Sequence, residues 1–529
     1  MKRPFHPVLV AFGIATLCLL AIVGPLIAPA HTALYHTSGP ALTLFVMVLF
    51  DLFLLWALLS FALLLAEKPG RRQFEIWSAI LFSLPWILLK NISMLAGFVI
   101  PHTVTVSLLA LCLTAFVTLS VFWRPAFLPP FQRLEGLLSV VLGFVALYGI
   151  FIVGQLLWYG WQARELSTPI VLHQHSVSSH RRASAPRIIW IVLDELSYQQ
   201  VYERRFPGLE LPAFDAIARE SVVFTHVVPA ANFTERAIPS LMTGLPVDDI
   251  RVSSSGAQLS LHRPDTKTWQ PFDPHQTVFQ DALNAGYSTA VAGWYNPYCR
   301  ILPEVLDHCF WTFQLPYPGG IVAGQSLSDN LLRQMAHRIK AISVRLPGQH
   351  PASAKPQLET RLHIADYREL RSAGDSMLAD SDADFVFLHM PIPHPEGIYD
   401  RRNKILTTGP SSYIDNLALA DSYVAHVRSL LQQRNEWDSS AIVIMGDHSW
   451  RTSFLWSKMR GWMPEEEAAS HGAQFDDRPA YIVKLPGQQL GSRIDTPFKA
   501  VHTRSLLDAL IAGQLHTSGD LDAWVKQQK

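Results

Sequence analysis

Carboxylate and imidazole side chains follow three apolar runs, close to the points where the runs end. The runs are "RIIWIVL", "AIVIMG" and "DFVFLHM", and the polar residues that follow them are Asp194, Glu195, Asp447, His448 and His394. In open parallel sheets, residues at the carboxyl ends of the strands meet in one crevice. Carboxylates and imidazoles are ligands that suit Zn²⁺ or Mn²⁺. The pattern predicts one divalent metal ion, Zn²⁺ or Mn²⁺, at this edge of a sheet.

Thr234, in the stretch "AANFTERAIPSLMTG", offers the hydroxyl nucleophile that such a site needs. A divalent ion lowers the pKa of a coordinated hydroxyl, so an alkoxide forms near neutral pH. The residues after Thr234 have a helical pattern, and backbone N–H groups at the start of a helix bind anions. Together these features predict attack on a phosphate or sulfate ester. The alternative from the residues alone is that Thr234 is an ordinary N-cap.

The elements that must position these residues are predicted from apolar, β-rich runs that alternate with helical patterns. Five such runs begin after residue 186: 187–193, 288–294, 384–390, 441–446 and 480–485. Continuous apolar runs of this length are typical of strands buried on both faces of a sheet. The fold class predicted for residues 187–529 is α/β, with a mostly parallel central sheet.

The first 160 residues are apolar enough to form a transmembrane domain. Five runs approach or exceed the roughly 20 residues needed to cross a bilayer: 8–30, 40–66, 74–98, 104–123 and 136–159. Basic residues before the first run, between the second and third, and between the fourth and fifth predict cytoplasmic segments there. Five spans would then place residues 161–186, a polar linker, and 187–529 outside the cytoplasmic (inner) membrane of a bacterium.

Composition and isolated residues add further expectations. The 43 basic and 43 acidic residues balance, which argues against a nucleic-acid partner. Asp51 lies within the second apolar run and is either a functional residue or a group that packs against a neighbouring helix.

Cys299 and Cys309 stand ten apart in the soluble part, where an oxidising compartment would let them form a disulfide. Two buried free thiols are the alternative.

Six short motifs, taken in their order and spacing, resemble the alkaline phosphatase and sulfatase superfamily. The resemblance covers about residues 187–515 and rests on "IVLDELSY", "TERAIPSLMTG", "TVFQDALNAGYSTAVAGW", "SYIDNLALADSYVAHVRSLL", "IVIMGDHSW" and "DRPAYIVKLPG". Within that superfamily, the apolar runs before a soluble domain resemble the membrane-anchored branch that contains lipoteichoic acid synthases and lipid A phosphoethanolamine transferases.

The resemblance places Thr234 where sulfatases carry a Cys or Ser that is oxidised to formylglycine. In sulfatases that residue opens a Cys/Ser-x-Pro-x-Arg signature, whereas this chain has Thr-Glu-Arg-Ala-Ile. The phosphotransferase branch is similar in having an unmodified Thr at this position, with a proline five residues later, as Pro239 is here. The resemblance therefore implies phosphoryl transfer and disfavours a formylglycine sulfatase.

The resemblance also implies a set of site residues. One metal ion would be held by Asp194, Thr234, Asp447 and His448. Because the branch usually has Glu as its first ligand, Glu195 is the alternative to Asp194. His394 would bind the transferred phosphate or protonate the leaving group, unless it is a loop histidine that faces water.

Four further residues are predicted to contact substrate: His389, Trp294, Tyr295 and Arg300. For the aromatic pair, packing is an equally good explanation. His389 could instead join a second metal, but Met390 stands where two-metal relatives have an aspartate, so a single metal site is favoured.

The function that the sequence predicts is transfer of a phospholipid headgroup. A phosphoglycerol or phosphoethanolamine group would move from a membrane phospholipid, through a phosphothreonine, to an envelope glycan or lipid acceptor. At most one disulfide is available, whereas phosphoethanolamine transferases typically have several, so phosphoglycerol is slightly favoured. The alternatives are a sulfatase-like hydrolase or phosphodiesterase, and a catalytically inactive membrane scaffold or sensor.

Overall fold

A computed structural model describes most of the chain, and its contacts divide the chain into two compact units. The described residues are 5–30, 32–37, 41–96, 100, 102–123, 128–167, 170–172, 185–314, 321–322, 325–342, 357–459 and 461–528. The first, which we name the helical unit, comprises residues 1–34, 39–167 and 317–342. The second, the sheet unit, comprises residues 35–38, 168–316 and 343–529.

Two short segments belong to the other unit than the predicted domains 1–160 and 187–529 would place them in. Residues 35–38 belong with the sheet unit, because Arg300 donates to the carbonyl oxygens of Tyr35 and Thr37. Residues 317–342 belong with the helical unit. In the predicted linker 161–186, residues 168–169 and 173–184 lie outside the described part of the chain.

The helical unit has helices in all five places where membrane spans were predicted, but four of them meet the requirements for crossing a membrane. The helices of this region are Pro7–Ile27, Thr32–Tyr35, Leu42–Leu65, Arg71–Ala96, His102–Val121, Leu128–Gln162 and Leu327–Ile342. The run 104–123 lies on the helix His102–Val121, whose apolar segment within the described residues is Ser107–Val121, so this predicted span is not among the four. The side of the membrane on which the sheet unit lies therefore stays a prediction.

Asp51 faces the interior of the helical unit. Its side chain is 3% exposed, and the Gln334 amide donates to its Oδ2 at 2.9 Å. Gln334 belongs to the helix Leu327–Ile342, so a segment distant in sequence supplies the partner. This contact favours the packing explanation for Asp51.

The sheet unit is built on an eight-stranded sheet whose strands we number β1 to β8 along the chain. They are Ile188–Leu193, Val222–Phe224, Thr289–Trp294, His308–Thr312, Phe385–Met390, Ala441–Met445, Tyr481–Lys484 and Ser492–Ile494. Their spatial order is β8-β2-β7-β6-β1-β5-β3-β4. Every neighbouring pair is parallel except those that β7 makes with β6 and β2. The predicted α/β class with a mostly parallel sheet is confirmed, and β2, β4 and β8 are strands that the sequence patterns did not indicate.

Helices and smaller sheets complete this unit. The helices are Pro212–Ala218, Thr234–Thr243, Val278–Asn284, Tyr298–Ile301, Gln357–Ala379, Tyr413–Gln433, Pro464–Ala469, Thr503–Ile511 and Ser518–Gln527. The smaller sheets pair Val227–Val228 with Phe498–Lys499, Tyr399–Asp400 with Ile405–Leu406, and Asp249–Val252 with Leu259–Arg263 and Thr268–Pro271.

Both faces of the central sheet are buried, which explains its continuous apolar strands. Along β1, Trp190 and Val192 pack into one apolar cluster, and Ile189 and Ile191 pack into another on the opposite face. Successive side chains of a strand point to opposite faces, so each residue of the run must be apolar. The strand register then brings the carboxyl ends of β1, β5 and β6 together, since Val192 pairs with both His389 and Met445.

Candidate active site

Three buried side chains meet at the carboxyl ends of these three adjacent strands. Asp194 follows β1, His389 lies near the end of β5, and Asp447 follows β6 after one glycine. All three are 0% exposed, and one nitrogen or oxygen from each lies within 4.8 Å of the others. The Nε2 atom of His389 is 3.4 Å from Oδ2 of Asp194. The strand ends therefore build one compact group of potential ligands.

The chemistry of this group fits a cation. Within the described residues, Asp194 Oδ1, His389 Nε2 and Asp447 Oδ2 are buried atoms with no hydrogen-bond partner. Buried polar atoms without a partner are costly, and three of them converging is best satisfied by a bound ion. Burial, joined by the charge of Asp447, raises the pKa of Asp194. Burial also lowers the pKa of His389 to about 4, which keeps that imidazole in the neutral, metal-binding form.

His448 is oriented by the backbone of the next residue. Its Nδ1 lies 3.0 Å from the carbonyl oxygen of Ser449, which can only accept, so Nδ1 carries the proton and Nε2 keeps a lone pair. That Nε2 is 3.2 Å from Asp447 Oδ2. A side chain at Gly446 would meet the Leu196 carbonyl oxygen at 2.6 Å, so this tight turn requires glycine. Burial lowers the pKa of His448, and its Nε2 is in the unprotonated form that binds metals.

Thr234 points its hydroxyl into this group. Its Oγ1 lies 3.2 Å from Asp194 Oδ2 and 3.3 Å from His448 Nε2, and the residue is 4% exposed. Thr234 is the first residue of the helix Thr234–Thr243, and Phe233 occupies the N-cap position. The simple N-cap explanation is therefore wrong, because the hydroxyl bonds to the cluster and not to its own helix. The Thr234 hydroxyl is placed where a nucleophile would be.

The Glu195 carboxylate is held by hydrogen-bond donors of the protein. Its carboxylate accepts from Arg451 Nε at 2.7 Å and from Trp456 Nε1 at 2.7 Å. Its backbone φ of 64° turns the chain sharply, and its N–H donates to Asp447 Oδ1 at 3.1 Å. Glu195 thus neutralises Arg451 and fixes the Asp447 carboxylate, which leaves Asp194 better placed than Glu195 to hold an ion.

His394 stands at the margin of the site in the neutral form. Its Nδ1 lies 2.8 Å from the Pro395 carbonyl oxygen, so Nε2 keeps the lone pair, 3.9 Å from Glu195 Oε1. The rings of Trp294 and Trp456 each lie 5.0 Å from its ring. Burial, with the charge of Arg451, holds the pKa of His394 well below its usual range. With its side chain 19% exposed and two aromatic walls, it is not a histidine that simply faces water.

The residues predicted to contact substrate separate into different roles. Trp294 is buried and donates its Nε1–H to Asp366 at 3.0 Å, so it packs behind the histidines. The Arg300 guanidinium donates to the backbone of residues 35 and 37, and its contact with substrate stays a prediction. His389 belongs to the ligand group. Tyr295 remains beside the site, and its hydroxyl donates to Glu235 Oε2 at 3.2 Å.

Several residues at the site had no recognisable signal in the sequence. Arg451 pairs with a carboxylate 256 positions away, and Tyr298 Oη lies 2.6 Å from His389 Nδ1. Glu235 follows Thr234 directly, and that adjacency could have drawn attention to it. The predicted disulfide partners are joined: Cys299 and Cys309 form a disulfide that links the helix Tyr298–Ile301 to β4.

Residues 186–300 match the family model named Sulfatase, a segment that includes β1, Thr234 and β3. The match spans 115 of the 529 residues and agrees with the resemblance to the alkaline phosphatase and sulfatase superfamily that the motifs indicated. The Asp194, His389 and Asp447 group supplies ligands for a metal ion. No curated protein matches the sequence significantly.

Solved structures similar to parts of this chain include the following three. A phosphonate monoester hydrolase of Agrobacterium radiobacter is 16% identical, with a TM-score of 0.38, over 61% of this chain and 73% of its own. A PsFucS1 sulfatase from Pseudoalteromonas sp. is 13% identical, with a TM-score of 0.40, over 62% and 68%. Murine ectonucleotide pyrophosphatase/phosphodiesterase 5 is 12% identical, with a TM-score of 0.34, over 65% and 99%. At these TM-scores the likenesses do not bear on the activity of this chain.

Proposed function

We propose that the protein is a membrane-anchored, metal-dependent phosphotransferase. It takes a phosphate-ester headgroup from a membrane phospholipid and passes it to an envelope glycan or lipid acceptor, on the outer side of a bacterial cytoplasmic membrane. The observation that carries this proposal is the buried Thr234 hydroxyl, held at a helix N-terminus and directed at Asp194 and His448. A threonine cannot be oxidised to formylglycine, so the position favours direct attack on phosphorus.

The first step makes a phosphothreonine. A divalent ion, when bound by Asp194, Asp447, His448 and His389 or Thr234, would lower the pKa of the hydroxyl and offset phosphate charge. The Thr234 hydroxyl loses its proton, its oxygen bonds to phosphorus, and the bond from phosphorus to the diacylglycerol oxygen breaks. That oxygen takes up a proton, so diacylglycerol leaves as an alcohol. Backbone N–H groups of the first helical turn stabilise charge on the phosphate oxygens.

The second step regenerates the Thr234 hydroxyl. An acceptor hydroxyl attacks phosphorus, and its proton passes to Nε2 of His394, whose lone pair is free of a hydrogen bond within the described residues. The bond from phosphorus to the Thr234 oxygen breaks, and that oxygen regains a proton. Holding the imidazole neutral is necessary for this role, and burial beside Arg451 does so.

The membrane-like helices favour transfer over release to water. Four helices are long and apolar enough to span a bilayer in the same chain as the site, which suits a donor that is itself confined to the bilayer. Hydrolysis of the same phosphothreonine by water would give a phosphodiesterase, and the experiment below distinguishes the two. An inactive scaffold would have no reason to keep a nucleophile, a neutral base and converging ligand atoms together.

The test uses full-length protein in lipid nanodiscs with Zn²⁺ or Mn²⁺ and phosphatidylglycerol or phosphatidylethanolamine. Intact mass spectrometry should detect one headgroup phosphate adduct, absent in Thr234→Ala and present in Thr243→Ala, a control at the other end of the same helix. Free headgroup without any product on an added glycan or lipid acceptor would contradict transfer. No adduct and no turnover with either metal and either lipid would contradict an enzymatic role.

A further inference from the structure

Glu235 is a carboxylate beside the nucleophile that the two steps above do not use. It occupies the second position of the helix Thr234–Thr243 and is partly exposed. Its carboxylate accepts one hydrogen bond, from the Tyr295 hydroxyl at 3.2 Å. Among the side chains that the structure describes, no Lys, Arg or His forms an ion pair with it. The charge of Glu235 is therefore not neutralised by this part of the protein.

The neighbouring cations do not pair with Glu235, and Arg236, the next residue, lies over the Phe233 ring at 5.2 Å from its centroid. Arg451 is paired with Glu195, and Arg300 donates to the carbonyl oxygens of residues 35 and 37. An uncompensated carboxylate next to a threonine that attacks an anionic phosphodiester repels its substrate, unless the substrate carries a positive charge of its own. A cationic group on the donor headgroup would remove that conflict.

Tyr295 gives the same position an aromatic face and a fixed geometry. Its backbone φ is 69°, in the left-handed region, at the end of β3. Its ring packs 4.1 Å from His36 and 4.8 Å from Phe313, and His36 Nδ1 lies 3.0 Å from its carbonyl oxygen. Burial lowers the pKa of His36 to about 4, so this support is neutral. A partly exposed carboxylate that a tyrosine hydroxyl holds in place is chemistry that recognises an ammonium group by a charge-assisted hydrogen bond.

We propose that Glu235 and Tyr295 form a subsite for the ammonium group of the donor headgroup. This proposal rests on the phosphotransferase function proposed above and specifies its donor as a phosphoethanolamine lipid. The phosphate of that zwitterion would lie over Thr234, and its ammonium, two carbons away, would lie over the next residue of the same helical turn. A phosphoglycerol headgroup has no charge to place against Glu235. The subsite therefore reverses the preference for phosphoglycerol that the small number of disulfides suggested.

Binding is measured first, with full-length Thr234→Ala protein that cannot turn over. At saturating Zn²⁺, O-phosphoethanolamine is expected to bind at least about tenfold more tightly than glycerol 3-phosphate, the effect of one charge-assisted contact. Glu235→Gln in this background should remove the preference, and Glu235→Asp should restore part of it. Glu304→Gln, at a surface glutamate that pairs with His275, is the matched control and should keep the preference. An equal preference in Glu235→Gln would overturn the subsite.

Adduct formation separates this proposal from the one on which it rests. With Thr234 intact, nanodiscs that contain either lipid alone should give the Thr234 adduct faster from phosphatidylethanolamine, and Glu235→Gln should slow that reaction by about tenfold or more. An adduct that forms from phosphatidylglycerol but not from phosphatidylethanolamine would overturn the ammonium subsite and leave the phosphotransferase proposal standing. No adduct from either lipid would overturn both. An unfolding midpoint of Glu235→Gln equal to the parent's would show that any loss comes from recognition and not from misfolding.

Discussion

Asp447→Asn tests the candidate metal site most directly, because it should change stability in opposite directions with and without metal. The Asp194 and Asp447 carboxylates are fully buried, with ligand atoms within 4.8 Å of each other. At an effective dielectric constant of about 20, two unit charges at that distance repel by about 3.5 kcal/mol. Burial raises the pKa of Asp194, so a proton relieves part of this repulsion. The asparagine keeps an oxygen to accept from the Glu195 N–H.

The two conditions therefore predict opposite orders of stability. In chelator, Asp447→Asn is expected to unfold at a higher temperature than the parent, because one of the two charges is gone. With Zn²⁺ or Mn²⁺ at a hundred times its dissociation constant, the parent gains about 2.7 kcal/mol by mass action. The variant has lost a ligand and gains much less. The measurement is thermal unfolding of full-length protein in detergent, followed by tryptophan fluorescence, at pH near 7.

Asp421→Asn is the matched control for Asp447→Asn. Asp421 is another buried carboxylate that accepts from a backbone N–H, that of Phe214 at 2.9 Å, and it is not part of the ligand group. Asp421→Asn should therefore respond to metal as the parent does. If metal fails to raise the midpoint of the parent, or raises that of Asp447→Asn equally, the Asp194 and Asp447 pair does not hold the ion.

Three further outcomes follow from the structure. Thr234→Ala should lower turnover of any phospholipid donor at least about a thousandfold, because the nucleophile is lost, and initial rates with labelled lipid check this. Cys309→Ser opens a loop between positions ten apart and should lower the free energy of unfolding by about 3 kcal/mol, after which dithiothreitol should no longer shift the unfolding midpoint. Burial raises the pKa of Asp421 to about 6 from its ordinary 3.8, so the folded protein holds this proton more tightly than the unfolded chain, and that stabilisation is lost as pH rises through about 6. Asp421→Asn should therefore unfold at a higher temperature than the parent near pH 7 and lose that advantage near pH 4; an advantage that does not change with pH would contradict this assignment.

Local patterns were sufficient for the scaffold of the sheet unit. Both faces of β1, β3, β5 and β6 are buried, so their apolar runs are continuous and easily found, and their bounds differ from the predicted ones by a residue at most. The parallel register places strand ends side by side, so the polar residues that follow the strands could be grouped into one site from the sequence alone. The antiparallel β7 also had an apolar run, but its direction depends on how the chain returns to the sheet.

Lengths of apolar helices were less well predicted. The five apolar runs are all helical, yet the run over 104–123 is not among the four helices that, within the described residues, are long and apolar enough to span a bilayer. Hydropathy registers that a segment is apolar, whereas the number of crossings depends on where each helix begins and ends. The exchange of residues 35–38 and 317–342 between the units was equally beyond local patterns, because it depends on contacts such as those of Arg300 and Gln334.

The amino-acid sequence by itself determined the fold class, the order of the strands along the chain and the choice of Thr234, Asp194 and Asp447 as residues of one site. Tertiary structure alone decided how their charges are partnered. Arg451 neutralises Glu195 across 256 positions, and Glu235 is left with a tyrosine hydroxyl and no cation within the described residues. Pairing energies depend on distance and burial in three dimensions, which a local pattern does not contain.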